Sequence, residues 1–371
     1  MDFSVLALMT FLTEELKMIA RKWTDKILPL ALLIVFCAGS GLAEVPRSYD
    51  PDPREVHFSK ITMLTDGGEN AEAYFSYDNK QLIYQATNDK FPCDQIMMMP
   101  VTGGEPELIS SGKGRTTCAY FTKDGKSVVY ASTHLASDDC PTPPDMSQGY
   151  VWGLYSGYDI FKKDLASGET IRLTKEDGYD AEATISPDGT SIVFTSARDN
   201  DLDIYTMDLD GGNVKRLTTT VGYDGGPFYS PDGKLIVYRS DHPVPGPATE
   251  DFQRLLADEK VRPSKMDIWV MNADGSEQRQ VTELGCASFG PFFHPSGEKI
   301  IFASNYPDPR GREFELFMVD LDGSNLEQIT FTDGFDGFPM WAPDGKSFVW
   351  GSNRHHSNPG ETNLFVTEWV D

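Results

Sequence analysis

A tight turn that recurs six times restricts this chain to a repetitive all-β architecture. The six copies are Ser76-Tyr77-Asp78-Asn79, Thr122-Lys123-Asp124-Gly125, Ser186-Pro187-Asp188-Gly189, Ser230-Pro231-Asp232-Gly233, His294-Pro295-Ser296-Gly297 and Ala342-Pro343-Asp344-Gly345. Asp or Ser at the third position satisfies local backbone donors, and Gly or Asn at the fourth accepts a positive φ. Around each turn lies one unit of about forty to sixty residues. It runs from an apolar strand through the turn to a second strand, such as Ser191-Ile192-Val193-Phe194. A variable loop follows, then a third strand such as Asp203-Ile204-Tyr205-Thr206-Met207, a D-G turn, and a fourth strand ending in Leu-Thr. Six repeats of four antiparallel strands predict a six-bladed β-propeller, each blade packing on its neighbours.

The ends of the chain indicate how the ring closes. The last unit stops after its third strand, Asn363-Leu364-Phe365-Val366-Thr367, while an orphan fourth strand, Ile61-Thr62-Met63-Leu64-Thr65, precedes the first complete unit. The N-terminal strand is therefore expected to complete the last blade, which removes free sheet edges and ties down both termini. This places the propeller at 58–371, with insertions at about 135–157 and 243–265, behind a short linker at 44–57.

The first 43 residues read as an export signal. Lys22 and Lys26 precede an apolar run from Ile27 to Ala38, and Gly41 and Ala43 occupy the small-residue positions that signal peptidase requires. Glu14 and Glu15 do not suit such a segment, so translation is expected to start at Met18. The bulky Phe36 before Cys37 argues against lipidation, and the apolar run is short for a membrane span. The formal charge of -25 argues against nucleic acid and anionic lipid as partners. A periplasmic or secreted monomer is expected, and its oxidising compartment permits disulfides among Cys93, Cys118, Cys140 and Cys286.

Several motifs resemble the TolB-like propeller family: Ser186-Pro187-Asp188-Gly189, Ser196-Ala197-Arg198, Asp203-Ile204-Tyr205-Thr206-Met207-Asp208 and Leu217-Thr218. The resemblance covers about residues 58–371, without the N-terminal domain of TolB itself. It implies the fold more than the activity, because such propellers serve as Tol-system scaffolds, prolyl-peptidase accessory domains and polysaccharide lyases. No G-x-S-x-G nucleophile elbow occurs in the sequence.

Up-and-down connectivity sorts the loops onto two faces. Both insertions fall on the face that also carries the starts of the first strands, and long loops in a tight repeat are where function concentrates. The blade 2 insertion holds Trp152 and Tyr155 within a run of aromatics, suited either to gripping a sugar or peptide or to packing as a lid. The blade 4 insertion places Phe252, Leu255 and Leu256 at helical spacing, which predicts a short docked helix. Asp180, Asp224 and Asp336 occupy equivalent positions at the starts of first strands, with Glu72 and Glu182 two residues further along their own blades. These oxygens either converge on a hard cation such as Ca²⁺ or bond donors of their own loops. His134 and His242 follow the second strands of blades 2 and 4, where blades 3 and 6 carry Arg198 and Arg354. The lyases on this fold use central histidines with a metal, so the resemblance keeps a transition-metal site under consideration. Cys93 and Cys140 are expected in corresponding loops of adjacent blades 1 and 2, on the same face, and a disulfide between them would staple the blade 2 insertion.

Three functions follow as expectations. The first is a non-catalytic binding or scaffold module for an envelope protein, peptide or glycan, with no cofactor required. The second is a metal-assisted polysaccharide lyase or hydrolase at the channel mouth. The third is an accessory propeller for a separate peptidase.

Overall fold

The repeated turns fold alike because their side chains bond the backbone in the same way. Ser76, Ser186 and Ser230 each donate a hydroxyl hydrogen bond to the aspartate two residues on, at 2.7, 2.6 and 2.8 Å. Those aspartates accept the amides of Lys80, Thr190 and Lys234. The fourth residue takes φ between 59° and 81° in all six copies. Each turn thereby delivers the chain from an inner strand to its neighbour with the amides that leave the turn bonded.

The computed structural model describes residues 45–147 and 149–370. The export segment, the start at Met18 and Cys37 lie outside the described residues. Among the described residues, no helix is long and apolar enough to cross a membrane. The fold is an all-β propeller of six antiparallel blades. Blades 1 to 5 begin at inner strands Glu69–Phe75, Thr116–Phe121, Asp180–Ile185, Tyr223–Tyr229 and Ser288–Phe293, each followed outward by three more strands. Blade 6 begins at Asp336–Trp341. Each inner strand touches those of both neighbours, and the sixth touches the first, so the ring closes around an axis.

The hydroxyl residue that follows each fourth strand, Thr in five blades and Ser110 in blade 1, has a specific use. The hydroxyls of Thr174, Thr218, Thr282 and Thr330 accept the amides of Ile160, Ile204, Ile268 and Leu316 at 2.8–2.9 Å, and Ser110 accepts that of Ile96 at 3.0 Å. In blade 6 Thr65 does the same for Leu364 at 2.9 Å. The N-terminal strand Ile61–Met63 pairs antiparallel with Asn363–Glu368, in the register Thr62↔Val366 and Met63↔Phe365. Met63 packs there among Trp341, Phe348, Trp350 and Phe365.

The segment expected as a linker at 44–57 is more structured than its composition suggests. Arg47–Tyr49 adds a fifth strand to blade 6, paired with Ile61–Met63. Beyond it, Glu55 is buried and accepts two hydrogen bonds from Arg354, at 3.0 and 3.3 Å. Arg354 also donates to both oxygens of Asp336, at 3.0 and 3.1 Å. One guanidinium thus holds the N-terminal arm to the last blade. Its side chain is 4% exposed and both carboxylates are fully enclosed. Replacing Arg354 with Ala strands two buried carboxylates, and breaking a buried pair from one side costs about 3–5 kcal/mol. The expected outcome is a fall of that size in unfolding free energy by urea titration. Arg310→Ala, at an exposed position, should leave stability within about 0.5 kcal/mol.

Candidate functional site: an axial chamber under the paired insertions

Every inner strand carries a bulge at the equivalent place, two or three residues beyond its first paired position. The register shifts between Ala71 and Tyr74, Thr117 and Tyr120, Ala181 and Thr184, Gly225 and Phe228, Phe289 and Phe292, and Gly337 and Met340. The bulged residues are Glu72, Cys118, Glu182, Gly226, Gly290 and Phe338, all with φ between 50° and 61°. Glycine takes this conformation freely, whereas each other residue is strained there by roughly 1–3 kcal/mol. Blades 4 and 5 use glycine, and blades 1, 2, 3 and 6 keep a side chain on the axis despite the strain.

Gly226 makes room for a charge. A Cβ at this position would lie 2.6 Å from an Arg239 guanidinium nitrogen. Arg239 reaches inward from the second strand of blade 4, forms an ion pair with Glu182 of blade 3, and donates to the Tyr223 hydroxyl at 2.7 and 2.9 Å. Glu182 also accepts the Thr195 hydroxyl at 2.7 Å and the Gly226 amide at 2.8 Å. Across from them stand Glu72 and Cys118, both half-buried. Enclosure raises the Glu72 carboxyl to about 7, and the Glu182 charge adds to the effect, against its hydrogen bond with Cys118 and the charge of Arg239. Burial and the two glutamates push the Cys118 thiol well up, so it stays protonated and a poor nucleophile.

Aromatic rings bound this polar space at both ends. Two residues beyond the bulge, Tyr74 of blade 1 and Phe228 of blade 4 meet across the axis with centroids 5.7 Å apart. Tyr120 and Phe292 complete that layer, at 5.6 Å from Tyr74 and 5.2 Å from Phe228. At the other end Trp152 comes from the blade 2 insertion. Its indole lies over the Arg239 guanidinium at 5.1 Å and meets Phe289 of blade 5 edge-on at 6.3 Å. Phe338 and Phe335 pack against Phe289 from blade 6.

The two insertions position that indole together. Trp152–Gly153 pairs antiparallel with Lys260–Val261, and the Leu154 amide donates to the Glu259 carbonyl at 2.7 Å. A helix, α1, spans Pro247–Ala257 in the blade 4 insertion, with Leu255 buried. Phe252 and Leu256 join Leu154, Tyr158, Val261 and Tyr179 in one apolar cluster over blade 3. Tyr155 packs in the same cluster, and its hydroxyl donates to the Thr142 carbonyl at 3.1 Å. The Cys93–Cys140 disulfide ties the start of the insertion to blade 1, with Cα atoms 5.9 Å apart. A disulfide at this position indicates an oxidising compartment.

The aspartates and the basic residues after the second strands are arranged differently from a convergent metal site. Asp180, Asp224 and Asp336 lie opposite Ser196, Ser240 and Ser352 in the register of their own blades. Arg198 then donates to Asp180 at 2.9 Å, His242 contacts Asp224 at 3.1 Å, and Arg354 engages Asp336. Each aspartate is engaged by a partner of its own blade, with Asp180 Oδ2 left buried and unpartnered, and among the described residues the three do not gather into a metal-binding group. Burial pulls the His242 pKa down, but the hydrogen bond to Asp224 and the charges of Asp224, Asp241 and Asp201 raise it overall. His134 bonds Ser132 at 2.8 Å, packs on Phe161, and is lowered by burial. Among the described residues, no three His, Cys, Asp or Glu side chains converge to hold a metal ion. The histidines therefore do not fit the metal site that the resemblance implied. Of the sequence candidates, the structure brings Glu72, Glu182 and Trp152 together.

Arg239, Tyr223 and Phe338 complete the chamber and escaped the sequence reading. One signal was available for Arg239, a charge inside the apolar run Leu235-Ile236-Val237-Tyr238-Arg239.

This ring of six bulged blades, with its serine–aspartate turns, is a six-bladed β-propeller. Residues 144–244 match the TolB beta propeller domain family. The described residues form a six-bladed β-propeller whose repeats are similar to those of that family. Its fold is similar to that of TolB from Acinetobacter baumannii, with 19% identity and a TM-score of 0.56 over 80% of this chain and 65% of that one. It therefore spans about two thirds of that protein's length. A TolB of Agrobacterium tumefaciens shares 23% identity and a TM-score of 0.56, over 84% of this chain and 95% of that one. An oligogalacturonate lyase in complex with manganese shares 14% identity and a TM-score of 0.51, over 88% of this chain and 96% of that one. At these identities the similarity carries the fold alone.

The Glu72 pKa makes stability depend on pH. The folded value of about 7 lies above the ordinary glutamate value of 4.5. The folded protein therefore holds this proton more tightly, and stability falls as pH rises from 4.5 through 7. Glu72→Gln should flatten that part of the profile, measured as unfolding free energy at half-unit pH steps.

Proposed function

We propose that this chain is an exported, non-catalytic binding module that holds an envelope protein, peptide or glycan on its insertion-bearing face, beside the axial chamber. The observation that carries this reading is the surface of the two insertions. Leu135, Met146 and Tyr150 of the blade 2 insertion and Val244 of the blade 4 insertion are exposed, Val244 at 78%. Large apolar side chains held in solvent on elaborated loops mark an interaction surface. Residues 135–157 contain three aspartates and no lysine or arginine, which favours a partner with basic groups near its apolar contact. The disulfide that braces this insertion supports a preorganised face in an oxidising compartment.

The metal-assisted lyase is the weaker reading, because His134 and His242 are engaged within separate blades. Two measurements separate the readings. Capture from envelope extract should fall at least tenfold for Leu135→Asp or Tyr150→Asp, and stay unchanged for Val214→Asp on the opposite face. Loss with Val214→Asp and retention with the insertion variants would reject the assigned face. Stoichiometric metal in the purified protein, lost on His134→Ala or His242→Ala, would favour the lyase.

A further inference from the structure

We infer that Trp152 is a gate: the strap formed by the two insertions closes the axial chamber in the unbound protein, and a ligand reaches Glu72, Cys118, Glu182 and Arg239 only when that indole swings off the axis. This deepens the binding reading above and rests on it for its biological use, although the gate itself can be measured without any partner.

The chamber is a space with two closed ends. Tyr74, Tyr120, Phe228 and Phe292 fill the axis on the side of the serine–aspartate turns, where rings from opposite blades touch. On the insertion side, inner-strand Phe289 and Phe338 pack together at the edge of blades 5 and 6. Blade 2 sends Trp152 over the axis to Phe289 of blade 5, the blade opposite its own. Between these layers, Glu72, Cys118 and Glu182 are only half-buried. They line a space, whereas a packed core would cover them.

Trp152 is held in a way that suits release. Its indole is half-buried and rests on a guanidinium already neutralised by Glu182. A cation–π contact of this kind contributes about 0.5–2 kcal/mol. The indole N–H donates at 3.2 Å to the Tyr150 hydroxyl, an exposed group that moves with the same insertion. The strap's own pairing is only two residues long. Beneath it, by contrast, Leu154, Tyr158 and Val261 are deeply buried over blade 3. The strap is therefore anchored beside the axis and lightly latched above it, so a rotation of one side chain opens the chamber without unfolding its base.

Cys118 provides the readout, with buried Cys286 as an internal control in the same molecule. The other two cysteines of the described residues are in the disulfide and do not react. The purified, unreduced protein is treated with N-ethylmaleimide at several pH values, and the rate for each thiol, followed by peptide mass spectrometry, is divided by its thiolate fraction so that access and not acidity is compared. The ratio of the Cys118 rate to the Cys286 rate should be low in the unmodified protein and rise at least tenfold in Trp152→Ala. In Trp152→Phe, which keeps a smaller ring over Arg239, it should rise at least threefold. The ratio cancels any general loosening, so a variant that destabilises the whole fold raises both rates without mimicking the gate. An unchanged ratio in both variants, or a Cys118 already freely reactive in the unmodified protein, overturns the proposal. Such a result leaves the binding face intact as a reading, since that face is tested by capture and not by thiol access.

Discussion

Closure of the ring is the constraint on which the rest of this molecule depends. Each blade buries its faces only against two neighbours, so a gap at one position would expose apolar strands on both sides. The gap is closed by strands from opposite ends of the chain, Ile61–Met63 against Asn363–Glu368. Two short strand pairs alone would be weak. They are reinforced by the Thr65 hydroxyl on the Leu364 amide, by Met63 among four large rings, and by the Arg354 clasp on Glu55 and Asp336. Hydrogen bonding, apolar burial and charge pairing thus act at one seam, and the inner strands can then define a common axis.

The axis has its own chemistry because the inner strands bulge. An unbroken strand would alternate its side chains regularly, with no left-handed residue at a fixed height. The bulge turns one residue per blade inward at the same level, and the six blades use it differently. Three contribute Glu72, Cys118 and Glu182, one contributes the Phe338 ring, and two contribute only glycine. The glycine of blade 4 admits Arg239 from the second strand, and a Cβ at Gly290 would meet the Phe338 ring at 3.5 Å. A sixfold backbone therefore encloses an asymmetric chamber, polar on the side of blades 1 to 4 and aromatic towards blades 5 and 6. Burial acts on this polar half as a whole, which is why the Glu72 carboxyl titrates near neutrality while Arg239 stays charged through Glu182.

Much of this was legible from the chain. Turn residues, Leu-Thr endings and the orphan strand are local signals with local causes, and they determine blade number, strand order and closure. The Cys93–Cys140 pairing followed from equivalent positions in adjacent blades. The fifth strand Arg47–Tyr49 was not legible, because Arg-Ser-Tyr carries no strand pattern and pairs only through the edge that Ile61–Met63 presents. The pairing of Trp152–Gly153 with Lys260–Val261 was hidden for a similar reason, since about a hundred residues separate partners that meet above blade 3. The bulges were also invisible, because a left-handed Glu or Phe looks in sequence like any other strand residue.

The aspartates show which part of a repeat points to function. Asp180, Asp224 and Asp336 attracted attention because they recur, yet recurrence is what a structural device produces. The same strand pairing sets each of them opposite a serine, and the same neighbouring position supplies Arg or His to bond it. A role shared by several blades is satisfied within each blade. The chamber is built from departures instead: a charge in one apolar second strand, a thiol and two glutamates where glycine suffices elsewhere, and a tryptophan from an insertion that only one blade possesses. None of these is needed to make a blade, and four of the six bulged residues strain the backbone that carries them. In a propeller, the residues that break the repeat at a cost in stability are the ones whose presence a function must explain.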